Sequence, residues 1–134
     1  MRFATKIERA YVKSFIQKDK TITCPKVGDY YALIDSETGE ILSALCVTHQ
    51  PEYWRVQGMR TEKQNRGKGY ATELLTYALK QYSGLVHSDC LKMSKGIFEK
   101  LGFQLVCEHN MGNHIEYQME KVIYNAGRQT EERN

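Results

Sequence analysis

The chain has 134 residues, 41% of them hydrophobic and 26% charged, with a formal net charge of +3. That is the length of one domain with the composition of a soluble globular protein, which excludes a disordered chain and a helical membrane protein. Its lysines and arginines are spread along the chain and form no single basic stripe of the kind that marks nucleic-acid binding by charge.

At the N-terminus, Met1 to Lys6 is charged and runs into Ile7-Glu8-Arg9 in place of an apolar signal core, so a cytoplasmic protein is expected. Ile7, Ala10, Tyr11, Ser14 and Phe15 recur at three-and-four spacing and predict a first amphipathic helix. Residues 17–29 have no clear period. Tyr30 to Ile34 and Ile41 to Val47 are rich in branched and aromatic residues, and the Asp35 to Gly39 segment between them has turn chemistry, so a β-hairpin follows. The Ile41 to Val47 run, broken by Ser43, is the longest nearly apolar stretch, far below the about 18 residues that cross a bilayer. Val56, Met59 and Thr61 share a face only if one residue is inserted near Gly58, which predicts a bulged strand.

A glycine-rich turn comes next, and then Ala71, Leu74, Leu75, Ala78, Leu79 and Tyr82 make the clearest helical period in the chain. Leu85 to His87 reads as a short strand. Ser88 or Asp89 is expected to cap a further helix with Leu91, Ser94, Ile97, Phe98 and Leu101 inward and Gly102 as its stop. Phe103, Leu105 and Cys107, then Ile115, Tyr117 and Met119, alternate with polar residues on either side of an Asn110 to Asn113 turn and predict a closing hairpin. The expected fold is α+β, a mixed α/β layer domain with helices on a mainly antiparallel sheet, as one domain over 1–124 with a polar tail over 125–134.

Cys24, Cys46, Cys90 and Cys107 lie far apart and read as reduced, structural thiols, three of them in apolar segments. The four histidines, His49, His87, His109 and His114, show no zinc-ligand spacing, and no metal is expected.

The chemistry concentrates in Arg66-Gly67-Lys68-Gly69-Tyr70-Ala71. A strand that turns there into a helix aims several unbonded main-chain N–H groups at one point, an anion site. Gly67 and Gly69 let the backbone approach a pyrophosphate, Lys63, Arg66 and Lys68 favour the same ligand, and Thr72 offers a hydroxyl. The stretch fits neither the P-loop nor the Gly-x-Gly-x-x-Gly fingerprint. Taken alone, the turn is equally compatible with glycine used only for its backbone.

The turn resembles the Arg/Gln-x-x-Gly-x-Gly/Ala signature of the GNAT superfamily of acyl-CoA-dependent acyltransferases. The bulged strand before it and the long helix after it match the family's order, and Phe98-Glu99-Lys100-Leu101-Gly102-Phe103 resembles a second family feature. The resemblance spans about residues 30–121. It implies a sheet with a splayed central strand and helices on both faces, acetyl-CoA with its pyrophosphate on residues 66–72, and a pantetheine arm bonded by the main chain of Met59, Arg60 and Thr61. The N–H at Thr61 or its neighbour would hold the oxyanion.

On that resemblance the reaction is attack of a primary amine on the thioester, which needs a base and benefits from an acid. Glu62, just after the bulged strand, is the favoured base and Glu52, near its start, the second candidate. Phe98 stands where many family members carry an acid tyrosine, and Leu91 where an asparagine is common, so Ser88 is the substitute acid. Tyr117, His49 and Trp54 are candidates to line the acceptor pocket. The acceptor stays open among a small amine, a protein and an RNA, at an open site or one completed by a second copy in a homodimer. Two other readings stand beside this one: a coenzyme A-binding module without catalysis, motivated by Phe98 and Leu91, and a small basic protein that binds nucleic acid or protein through Lys63, Arg66 and Lys68.

Overall fold

The computed structural model describes residues 1–20, 22 and 24–125. Among them are seven strands, β1 (Arg2–Phe3), β2 (Asp29–Ile34), β3 (Ile41–His49), β4 (Trp54–Thr61), β5 (Gly84–Cys90), β6 (Gln104–Asn110) and β7 (Ile115–Ile123), and three α-helices, α1 (Arg9–Gln17), α2 (Tyr70–Leu79) and α3 (Lys92–Lys100). The strands form one sheet in the order β1-β2-β3-β4-β5-β7-β6. Every pairing is antiparallel except β4 with β5. None of the described helices is long and apolar enough to cross a membrane.

Alternation along the strands sends side chains to two faces. On one, Ala32, Ile34, Ile41 and Ala44 pack against Val12, Phe15 and Ile16 of α1. On the other, Leu33, Leu45, Val47, Val56, Val86 and Met119 meet Leu74, Leu75, Ala78 and Leu79 of α2 and Phe98 of α3. Burying each of these large side chains contributes about 1.5–3 kcal/mol, so α2 is held to the sheet mainly by its leucines. Helices lie on both faces, as expected, in a mixed α+β domain.

The extra residue expected in the third long strand is present. Ala44 opposes Arg60 and Cys46 opposes Gln57, so two steps of β3 face three of β4. Gly58 takes up the difference at φ +66, a left-handed conformation that suits a residue without Cβ. The helix stop at Gly102 also follows the sequence. Its N–H bonds the Glu99 carbonyl and that of Phe103 bonds the Phe98 carbonyl, both at 3.0 Å, with Gly102 at φ +90.

Other expectations change. Ile7 (95% exposed) and Tyr11 (48%) face solvent, because a 3-10 turn over Lys6–Glu8 precedes α1 and rotates its inner face onto Val12, Phe15 and Ile16. Neither Ser88 nor Asp89 caps α3. β5 continues to Cys90 because β7 pairs with it from Gly84 through Cys90, and Leu91, exposed and not inward, becomes the N-cap residue. The helix of residues 71–82 ends at Leu79, although Tyr82 is still buried. β6 is exposed along its whole length, since it is the sheet edge, so Leu105 and Cys107 do not enter the core. Of the expected tail, Asn125 is bonded: its side-chain amide donates to the carbonyls of Leu79 and Tyr82, and its main chain meets Ser83 Oγ. Residues 126–134 lie outside the described residues.

All four cysteines are free thiols. Burial pushes the Cys46 thiol up to about 12 and Cys90 up to about 11. Both folded values lie above the unfolded thiol's roughly 8.5, so their contribution to stability is complete below that pH and is lost as pH rises toward 11 and 12. A thiol-reactive dye at mildly alkaline pH is expected to label exposed Cys107 fast, with Cys46 and Cys90 reacting only after denaturant is added. Equal labelling rates for Cys46 and Cys107 would contradict this packing.

Candidate active site

β4 leaves the sheet at Thr61, passes through a 3-10 turn at Lys63–Asn65, and enters α2 at Tyr70 with Gly69 as its N-cap residue. Gly67 and Gly69 sit at φ +77 and +82, where a side chain would be strained. The first bond into α2 runs from the Glu73 N–H to the Gly69 carbonyl at 3.0 Å. Among the described residues, no main-chain carbonyl outside the helix accepts the N–H groups of Gly67 to Thr72. A Cβ built on Gly67 or Gly69 meets nothing within 4 Å, so these amides border open space. Lys63, Arg66 and Lys68 stand exposed around it. Arg66 also braces the turn, donating from Nε to the Thr61 carbonyl at 3.0 Å. Free amides, a helix N-terminus and three cations meet at this turn, a cradle of the kind that suits an anion.

A gap in the sheet leads to this cradle. β4 pairs with β3 to its end but with β5 only at Trp54 with Val86 and Arg55 with His87. From Val56 onward β4 has no paired position on its β5 side. Met59, Arg60 and Thr61 lie on that free edge. The Arg60 guanidinium is engaged elsewhere: it donates to the Phe15 carbonyl at 2.6 Å, stands over the Phe15 ring, and pairs with Glu62 at 2.9 Å. Thr61 Oγ1 is 2.8 Å from Ser43 Oγ.

The fold gathers Met59 to Thr72 in one corner, but it does not gather the three catalytic candidates there. Glu62 is close to the cradle and ion-paired with Arg60 at its side. Glu52 is exposed in the turn between β3 and β4, at the opposite end of β4, roughly 20 Å of strand away. Ser88 is buried, and its strand partner Met119 places it on the α2/α3 face. Phe98 is a core residue packed edge-on against Phe103, with centroids 5.0 Å apart. Trp54 donates from Nε1 to the Ser83 carbonyl at 3.1 Å and stacks on His49, so it ties strands together. Tyr117 lies under the Lys95 ammonium of α3.

On the α1 face, beside the gap, stands a cluster that sequence reasoning missed. His87 is nearly buried, with Nε2 3.0 Å from Asp89 Oδ2 and Nδ1 3.0 Å from Glu120 Oε2. Arg55 Nη2 reaches Asp89 Oδ2 at 3.4 Å, and the Tyr53 ring lies 5.0 Å from the imidazole. The signal was present as alternation: His87 and Asp89 on one strand, Glu116, Gln118 and Glu120 on the other. What the sequence lacked was the register that sets His87 opposite Glu120. No group of three or more His, Cys, Asp or Glu side chains among the described residues is disposed to hold a metal ion.

The model of the acetyltransferase (GNAT) family matches residues 3–103. Among solved structures, a proposed N-acetyltransferase from Lactobacillus plantarum superposes with a TM-score of 0.74 at 16% identity, covering 92% of this chain and 97% of that one. An aminoglycoside 6'-N-acetyltransferase complexed with coenzyme A, and the aminoglycoside 6'-N-acetyltransferase from Enterococcus faecium, each give 0.68 at 13% identity, covering 92% and 98%. At these identities the likeness is one of fold. A search of curated protein sequences gives no match.

Proposed function

The chain belongs to the acetyltransferase (GNAT) family, and we propose that it is an N-acetyltransferase that moves an acetyl group from acetyl-CoA to a primary amine. The observation that carries this reading is the row of unbonded amides from Gly67 to Thr72, at the end of a gap between β4 and β5. A diphosphate fits such a cradle through N–H donors, the helix dipole and the charges of Lys63, Arg66 and Lys68. The free edge of β4 at Met59 to Thr61 suits a pantetheine arm, which carries amides that pair like another strand. Tyr70 and Ala71 start α2 and set the direction of its N-terminus.

The test is calorimetric titration with acetyl-CoA, followed by release of free thiol in the presence of primary amines. Binding with amine-dependent thiol release is the expected result. Binding without turnover on any amine favours a coenzyme A-binding module without catalysis, a reading supported by Phe98, which has no hydroxyl to protonate a leaving thiolate. No binding, with salt-sensitive retention on DNA or RNA, overturns the proposal in favour of a basic surface at Lys63, Arg66 and Lys68.

A further inference from the structure

We propose that Asp89 is the carboxylate that meets the acceptor ammonium and takes its proton, with His87 and Glu120 as positioning residues behind it. This rests on the N-acetyltransferase reading and supplies the base that Glu62 and Glu52 do not.

Arg55 and His87 are the last paired positions of β4 and β5, and Asp89 lies two residues further along β5, where the strands part. Alternation keeps His87 and Asp89 on the α1 face and sends Ser88 to the other. α1 itself packs over β2, β3 and β4. Asp89 therefore borders the gap from the side opposite the α2/α3 core.

Asp89, His87 and Glu120 form a chain in which both ring nitrogens face carboxylate oxygens at 3.0 Å. A neutral imidazole has one N–H, so one of those two contacts then sets a ring lone pair against a carboxylate. With one more proton in the chain, both contacts become hydrogen bonds. Contacts at both ring nitrogens thus hold the Asp89 and Glu120 carboxylates in place, which is the positioning role given to the imidazole.

The His87 side chain is 10% exposed, against 20% for Asp89 and 27% for Glu120, so the imidazole is sealed and the carboxylates open outward. The contacts of Asp89 with His87 and Arg55 both fall on Oδ2, which leaves Oδ1 for the amine. Arg55 Nε is buried without a protein acceptor, so the corner also holds a donor still to be satisfied. Titratable or charged groups facing Asp89 are His87 on its own strand and Arg55 from β4, with Glu120 of β7 beyond the imidazole and the Tyr53 ring over it.

An ammonium N–H bond breaks and its proton passes to Asp89. The freed lone pair forms a bond to the thioester carbonyl carbon, the C–S bond breaks, and the thiolate takes a second proton from the nitrogen. One ammonium and one thioester give one amide, one thiol and one proton returned to solvent.

The experiment measures acetyl-CoA affinity by calorimetry and thiol release across mildly acid to alkaline pH for the wild type, Asp89→Asn, His87→Gln and Glu120→Gln. Butylamine, spermidine, an aminoglycoside and a lysine peptide serve as acceptor probes. Asp89→Asn is expected to keep its acetyl-CoA affinity, to lose about 100-fold or more in kcat/KM at neutral pH, and to recover as rising pH supplies free amine. His87→Gln and Glu120→Gln are expected to lose less and to shift the pH profile. Wild-type turnover with Asp89→Asn equal to it, or slowed equally at every pH, overturns this proposal and leaves N-acetyl transfer standing. Glu120→Gln decides the matter if Asp89→Asn does not fold, since an unshifted profile there also overturns it. A wild type that binds acetyl-CoA but uses none of the probes overturns the proposal, and one that binds no acetyl-CoA overturns the N-acetyltransferase reading with it.

Discussion

Gly69→Glu is expected to remove measurable acetyl-CoA binding from a protein that still folds. Nothing lies within 4 Å of a Cβ at this position, so the new side chain has room, and the room it takes is the space bordered by the Gly67 to Thr72 amides. A carboxylate about 4 Å from one phosphate charge at an effective dielectric near 20 costs about 4 kcal/mol, roughly a thousandfold in affinity. The substitution also forces a side chain onto φ +82, which costs about 1–3 kcal/mol of stability. Gly69→Ala carries the same backbone strain without the charge. Calorimetry and thermal melts on the pair separate the two effects: similar melting points with far weaker binding for glutamate are expected. Wild-type affinity in folded Gly69→Glu would remove the diphosphate from this corner.

Leu75→Ala is expected to destabilise the fold by about 2–5 kcal/mol, a large share of the roughly 5–15 kcal/mol that holds a domain together. Leu75 is fully buried on α2, within the cluster that joins that helix to β3, β4, β5 and α3. Truncation removes its transfer energy and leaves a cavity that close-packed neighbours fill only in part. Urea unfolding is expected to show a lower midpoint with an unchanged slope. The cradle is built from main chain ahead of Leu75, so protein that remains folded should bind acetyl-CoA as before. A loss below about 1 kcal/mol would mean that α2 is not anchored by this residue.

The parts of the fold that were legible in advance share a short range. The bulge at Gly58, the helix stop at Gly102 and the turn at Gly67 and Gly69 each depend on a glycine at positive φ among near neighbours. α2 was legible because its apolar period coincides with one face packed on the sheet. The first helix was misread in phase for an equally local reason: Ile7 and Tyr11 fit the spacing, but a 3-10 turn intervenes, and Val12 and Ile16, which also fit, occupy the core. Ser88 was read as a helix cap because serine before a helical pattern usually is one. Seven paired positions between β5 and β7 made it strand instead.

Sequence was therefore sufficient for the shape of the turn at residues 66–72, since a strand, two left-handed glycines and a helix start are encoded within a dozen neighbouring residues. Long-range strand pairing alone created the polar cluster beside the gap. It joined Arg55, His87, Asp89 and Glu120 from three strands and turned Ser88 away, whereas the ion pair of Glu62 with Arg60 is a local one. The reason is physical: backbone torsions respond to adjacent residues, whereas the register between strands some thirty residues apart is chosen by burial of the whole sheet, in which any single polar side chain has little weight.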